Sequence, residues 1–157
     1  MPIKLKSDDE IKIMREAGRI VANTLGQIRE MVRPGLNLLE VERFVRDEFK
    51  RAGAKETFLN YTPSPRYPPY PSNICISVNE QLVHGIPTDR ELEDGDIVTF
   101  DLGATYRGYV GDAAAQVADA RRRRCEAAEG QGDRLLAGVG TDRRTGRGAE
   151  VSLPKTT

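Results

Sequence analysis

The chain has 157 residues, 24 basic side chains against 24 acidic ones, and a hydrophobic fraction of 38%. That length suits one domain or half of a larger one, and the balanced charge gives no general attraction to nucleic acid or an anionic membrane surface. Two cysteines are too few for a secreted disulfide scaffold, no leader-type segment opens the chain, and no apolar run nears the roughly 20 residues that span a bilayer, so a soluble cytoplasmic protein is expected.

Ser7 followed by Glu10 forms a capping box, and Ile11, Met14, Val21, Leu25, Ile28 and Val32 recur at helical spacing. A helix is therefore expected over 7–32, ended by Arg33-Pro34-Gly35. A second helix begins at Asn37 with Glu40 as its reciprocal cap, carries Val41, Phe44, Val45 and Phe49 on one face, and stops near Gly53. Strands follow at ETFLNY (56–61), NICISV (73–78), DIVTFDL (96–102) and GYVGDAAAQV (108–117). Helices first and antiparallel strands after them make an α+β layout, with two helices covering one sheet.

Between the first two strands, TPSPRYPPYPSN is too rich in proline for a central strand and reads as a semi-rigid loop. Its tyrosines either wall a pocket or pack on their own prolines as a surface connector. Beyond Ala114 the character changes: residues 115–157 hold no aromatic side chain and no isoleucine, and show no sustained period. They read as a separate, poorly ordered tail, with the composition of a GC-rich coding sequence translated out of frame. The run Arg121 to Arg124 reads as a solvated basic stretch rather than a nucleic-acid arm.

The segment DIVTFDLGATYRGYVGD places Asp101 and Asp112 on either side of a short polar turn. A turn at Tyr106-Arg107 sets the two carboxylates directly opposite one another, with Cβ atoms roughly 4.5 to 5.5 Å apart and a repulsion that must be offset. An arginine between them, a shared proton or a divalent cation would do so. A three-residue loop with Gly108 left-handed shifts the register by one and keeps the pair close. The chain has one histidine, His84, in LVHGIP at the end of an element. A lone histidine is more often a structural residue or a surface bystander than a catalyst.

Taken together, SDDEIKIMREAGRIVANTL, NICISVNEQLVHGIP and ELEDGDIVTFDLGATYRGYVGDAA resemble the N-terminal half of a type I methionine aminopeptidase, over about residues 3 to 114. The resemblance implies half of a pita-bread fold, the domain 1–114, and metal-dependent removal of N-terminal methionine from nascent proteins. It implies that Asp101 and Asp112 are ligands of a site for two divalent ions (cobalt, manganese, iron or zinc), Asp112 bridging both. His84 would contact the scissile amide and help handle protons, and Tyr67, Tyr70 and Cys75 would line the methionine side-chain pocket. The implied partners are the N-terminal methionine of nascent peptides and the ribosome, with no nucleic acid and no membrane. The exposed half-sheet is expected to favour self-association. In that family a histidine and two glutamates from the second half complete the metal site. No histidine follows His84, and no ligand role passes to Glu126, Glu129 or Glu150. Little peptidase activity is therefore expected of this chain, and a non-catalytic truncated product or binding module is the alternative.

Overall fold

The computed structural model describes residues 5–118. The reading of a separate tail lies outside the described residues except for its first four positions, as do Cys125 and the arginine run.

The first helix, α1 (Asp8–Met31), starts where the capping box places it: Glu10 N donates to Ser7 Oγ and Ser7 N donates to Glu10 Oε2 at 2.7 Å. Its inward stripe is Ala17, Val21, Leu25 and Ile28, all buried. Ile11 and Met14, expected on the same face, lie toward solvent instead, because the first turns overhang the edge of the core. The second helix, α2 (Leu38–Ala52), is capped by Asn37, whose side chain accepts from Leu39 N at 2.9 Å, and is closed by Gly53 in the left-handed region. The reciprocal cap expected from Glu40 is not the one formed. The Asn37 amide donates to Asp89 Oδ1 at 2.6 Å and Leu38 N donates to Arg90 O, so the start of α2 is tied to the 89–91 segment.

Four strands follow: β1 (Lys55–Glu56), β2 (Cys75–Val78), β3 (Ile97–Tyr106) and β4 (Tyr109–Ala118). All pairing is antiparallel and passes through β3. β4 runs along it for ten residues, β2 pairs with its first half through Val98–Asp101, and β1 pairs with Ala104 and Thr105. Side chains alternate on β3 as the pleat requires. Val98, Phe100, Leu102 and Ala104 are buried in the core with Ile76 and Val78 of β2, Val41, Val45 and Phe49 of α2, and the α1 stripe. Each such aliphatic or aromatic side chain stabilises the fold by ~1.5–3 kcal/mol when fully buried. Thr99, Asp101, Gly103 and Thr105 turn to the opposite face.

Helix α1 crosses β4 at Gly111, where an added Cβ would lie 2.5 Å from the carbonyl carbon of Ala17 and 2.6 Å from Gly18 N. A glycine is required because backbone meets backbone.

The strand expected over ETFLNY is shorter than its composition suggested. Thr57 N still donates to Gly103 O, but Asn60 takes a left-handed φ of 62° and Tyr61 N turns back to Phe58 O. Asn60 N and Tyr61 O then bond Tyr70 O and N, both at 2.8 Å, closing the neck of the proline-rich loop. Strand propensity here loses to an asparagine that tolerates the left-handed conformation and to the aromatic rings of Phe58 and Tyr61, which line a cavity.

The N-terminal end of α1 is clipped to the hairpin by Tyr109 Oη, which donates to Glu10 Oε1 at 2.7 Å. The Ser7 backbone N–H and this hydroxyl hold the Glu10 carboxyl down at about 2, against an ordinary 4.5. The native state thus binds that proton less readily than the unfolded chain. The stabilisation is present above pH 4.5 and is lost as pH falls toward 2. Glu10→Gln is expected to flatten this acid limb without changing its neutral-pH slope, as read from urea midpoints measured against pH.

Candidate metal site and adjoining pocket

The hairpin turn is Arg107-Gly108, with φ of 48° and 85°. Two central residues in the left-handed region are what a two-residue hairpin turn matching the strand twist requires, and glycine takes the second place without steric cost. This moves the turn one residue beyond Tyr106-Arg107. Asp101 therefore pairs with Ala114, and Asp112 with Gly103. The two carboxylates are not directly opposed; they are diagonal neighbours on one face, a spacing of ~7–8 Å between backbones that carboxylate side chains can bridge. The side chain missing at Gly103 makes room, since a Cβ there would come within 3.1 Å of Asp112 Oδ2 and 3.0 Å of the Phe58 ring.

Asp101 is half-buried and Asp112 exposed. Burial first, and then the charge of Asp112, push the Asp101 carboxyl above its ordinary value, with His84 opposing. The two acids therefore feel one another. Across the other edge of β3, Cys75 pairs with Asp101. Burial pushes the Cys75 thiol up, so it is a neutral, soft wall rather than a thiolate.

His84 is held by a loop whose two ends are fixed. Asn79, at φ 55°, donates through Nδ2 to Asp96 Oδ1 at 2.7 Å and accepts from Ile97 N at 2.9 Å. Asp96, buried, also accepts from Glu93 N and Arg90, and the Glu93 N–H above all keeps its carboxyl below the ordinary range. This network was not read from the sequence, although the Asp94-Gly95-Asp96 turn and the Asn79 after β2 signal it. At the histidine, Gly85 presses so closely on β2 that an added Cβ would lie 2.1 Å from Ile76 O.

A cavity of about 550 Å³ opens on this face. Tyr67, Tyr70, Cys75, His84 and Asp101 all line it, so five of the six residues singled out in the sequence meet in one wall. Asp112 is not part of that wall and is linked to it through Asp101. Thr57, Phe58, Tyr61 and Ile86 line it as well. Phe58 and Tyr61 were missed because their stretch read as a strand, where alternate side chains would have pointed away.

A divalent cation fits the two carboxylates in donor type and placement, oxygen ligands being what such hard ions take. They fall short in number: among the described residues no group of three or more histidine, cysteine, aspartate or glutamate side chains is arranged to hold a metal ion. No helix among them is long and apolar enough to cross a membrane.

The arrangement has helices over one face of an antiparallel sheet and two acids with a histidine-bearing turn on the other, and comparison with known proteins gives its class, a metallopeptidase. The chain matches the model of metallopeptidase family M24 over residues 12–142 and belongs to that family. It is 42% identical over 118 residues to a methionine aminopeptidase of Aquifex aeolicus, covering 74% of this chain and 46% of that protein. It is 43% identical over 109 residues to methionine aminopeptidase 1 of Bacillus subtilis, covering 69% and 42%. The crystal structure of a methionine aminopeptidase from Thermotoga maritima superposes with a TM-score of 0.69 at 37% identity, over 75% of this chain and 45% of that one. The architecture is thus a partial pita-bread fold of α+β class, and the chain spans less than half the length of these relatives.

Proposed function

We propose that the described residues form the N-terminal half of a methionine aminopeptidase site, which removes the initiating methionine from nascent chains in the cytoplasm, near the ribosome. One observation carries this reading: Asp101 and Asp112 share a sheet face beside an aromatic cavity with His84 in its wall. Asp101 and Asp112 would hold divalent ions, two in a complete site and of the cobalt, manganese, iron or zinc type. Bound there, a cation supplies a water activated near neutral pH and polarises the scissile carbonyl. His84 hydrogen-bonds the scissile amide from the cavity wall. Tyr67, Tyr70 and Cys75 receive the methionine side chain, whose polarizable sulfur suits aromatic edges and a neutral thiol.

The shortage of ligands sets what this chain does on its own. Calorimetry with manganese or cobalt is expected to find weak binding that Asp112→Asn abolishes; binding unchanged in that variant would overturn the carboxylate assignment. Release of methionine from a Met-Ala-Ser peptide is expected to stay far below the ~1 per second of an ordinary enzyme. The same shortage favours a second reading, a non-catalytic binding module, which metal-independent capture of a peptide or protein partner would support. The outer edge of β4 has no strand partner among the described residues and offers a route to self-association.

A further inference from the structure

The ring of Tyr70 lines the cavity, and its hydroxyl, beside the Cys75 thiol, reaches the turn that presents His84. Tyr70 Oη bonds Gly85 O at 2.9 Å and Ile74 O at 3.2 Å. Gly85 O also accepts from Ile76 N at 2.8 Å, and Gly85 N donates to Ser77 Oγ at 3.2 Å. The glycine after His84 is thus bonded on both backbone polar groups, with no room for a side chain. His84 itself has a φ of 57°, a conformation that L-residues leave unless their neighbours hold them in it. The Tyr70 backbone, in turn, is tied on both sides to the neck of the proline-rich loop.

We infer that Tyr70 is a positioning residue for His84: its hydroxyl, through Gly85 O, fixes the left-handed turn that sets the imidazole in the cavity wall. One side chain then does two things, and they separate chemically. The ring is wall, and the oxygen is anchor. Burial pushes the Tyr70 hydroxyl well above its ordinary value, so it remains a donor across the whole working pH range. The inference rests on His84 being the residue that meets substrate, yet its test needs neither metal nor turnover, so failure of the peptidase reading and failure of this one are distinguishable.

The chain has a single histidine, so in this 157-residue chain the imidazole Cε1–H resonance reports His84 alone. Tyr70→Phe keeps the ring and removes the oxygen. The expected result is a His84 resonance that shifts and broadens while amide signals of β3 and α1 stay in place. A His84 resonance unchanged in position and width would overturn the inference. If Tyr70→Phe does not fold, Ser77→Ala frees the same glycine from its other neighbour without touching the cavity wall. A loosened His84 in that variant supports anchoring through Gly85, and an unchanged one overturns it.

Discussion

Gly111→Ala is expected to destabilise the protein by ~3 kcal/mol or more, at or above the upper end of the range for overpacked cores. The added methyl group would sit 2.5 Å from the carbonyl carbon of Ala17 and 2.6 Å from Ala17 O and Gly18 N. These are helix backbone atoms, which cannot rotate aside as a side-chain tip can. Either α1 lifts from β4, exposing Ala17, Val21 and Ile28, or β4 shifts and strains its ladder with β3. Against a typical total of ~5–15 kcal/mol, such a loss leaves a marginal fold. Gly18→Ala and Gly26→Ala are the controls, since nothing lies within 4 Å of a Cβ at either position. Alanine is the better helix former by ~1 kcal/mol, so both should stabilise. Chemical denaturation reads all three, and a Gly111→Ala midpoint matching the parent would refute the backbone contact.

Phe100→Ala is expected to cost ~3–5 kcal/mol, the range for emptying an aromatic site in a core. Phe100 is 1% exposed on the strand to which every other strand pairs, and it faces Ile76 in register. Its neighbour Asp101 points to the opposite face, so the cavity would open directly behind the candidate metal site. Phe100→Leu should retain most of the stability because the smaller void can partly close. Equal losses in the two variants would mean that the cost at Phe100 does not follow the size of the void left behind.

Much of the fold was legible because local chemistry and tertiary packing agree. The Ser7–Glu10 box, the Asn37 cap and the Gly53 stop each fix a helix end with the residues nearest to it in sequence, and the alternation along Ile97–Leu102 fixes which side of β3 faces the helices. The register of the hairpin was harder to read. Tyr106-Arg107 and Arg107-Gly108 are one residue apart, and a shift of that size changes which residue faces Asp112 while leaving both acids on the same face. The deciding signal is Gly108, the only one of the three that accepts a positive φ without steric cost.

The residues 57–61 misread for the opposite reason. Their aromatics and threonine favour a strand in the abstract, and only the neighbouring Gly103 and the loop neck at Tyr70 make a turn the better use of Phe58 and Tyr61. Such contacts join positions far apart in the chain. The Asn79–Asp96 network was hidden in the same way: each member is an ordinary polar loop residue until the fold brings them together.

The dependence of every strand on β3 also sets an order of events during synthesis. Helices α1 and α2 and the first two strands are all made before Ile97, so when they emerge there is no sheet for their apolar stripes to cover. At ~5–20 residues per second they wait several seconds for the central strand. Once β3 and β4 exist, a two-residue turn joins them, and a hairpin of this kind closes in ~1–10 μs. The helices then meet a template already formed. The pairings with β2 and β1 close larger loops than that hairpin and follow it, and the docking of α1 on β4, Ala17 against Gly111, spans the largest separation of all. Val21, Ile28, Val45 and Phe49 are therefore the side chains this chain leaves uncovered longest while it is being made, and the ones a holding chaperone would meet.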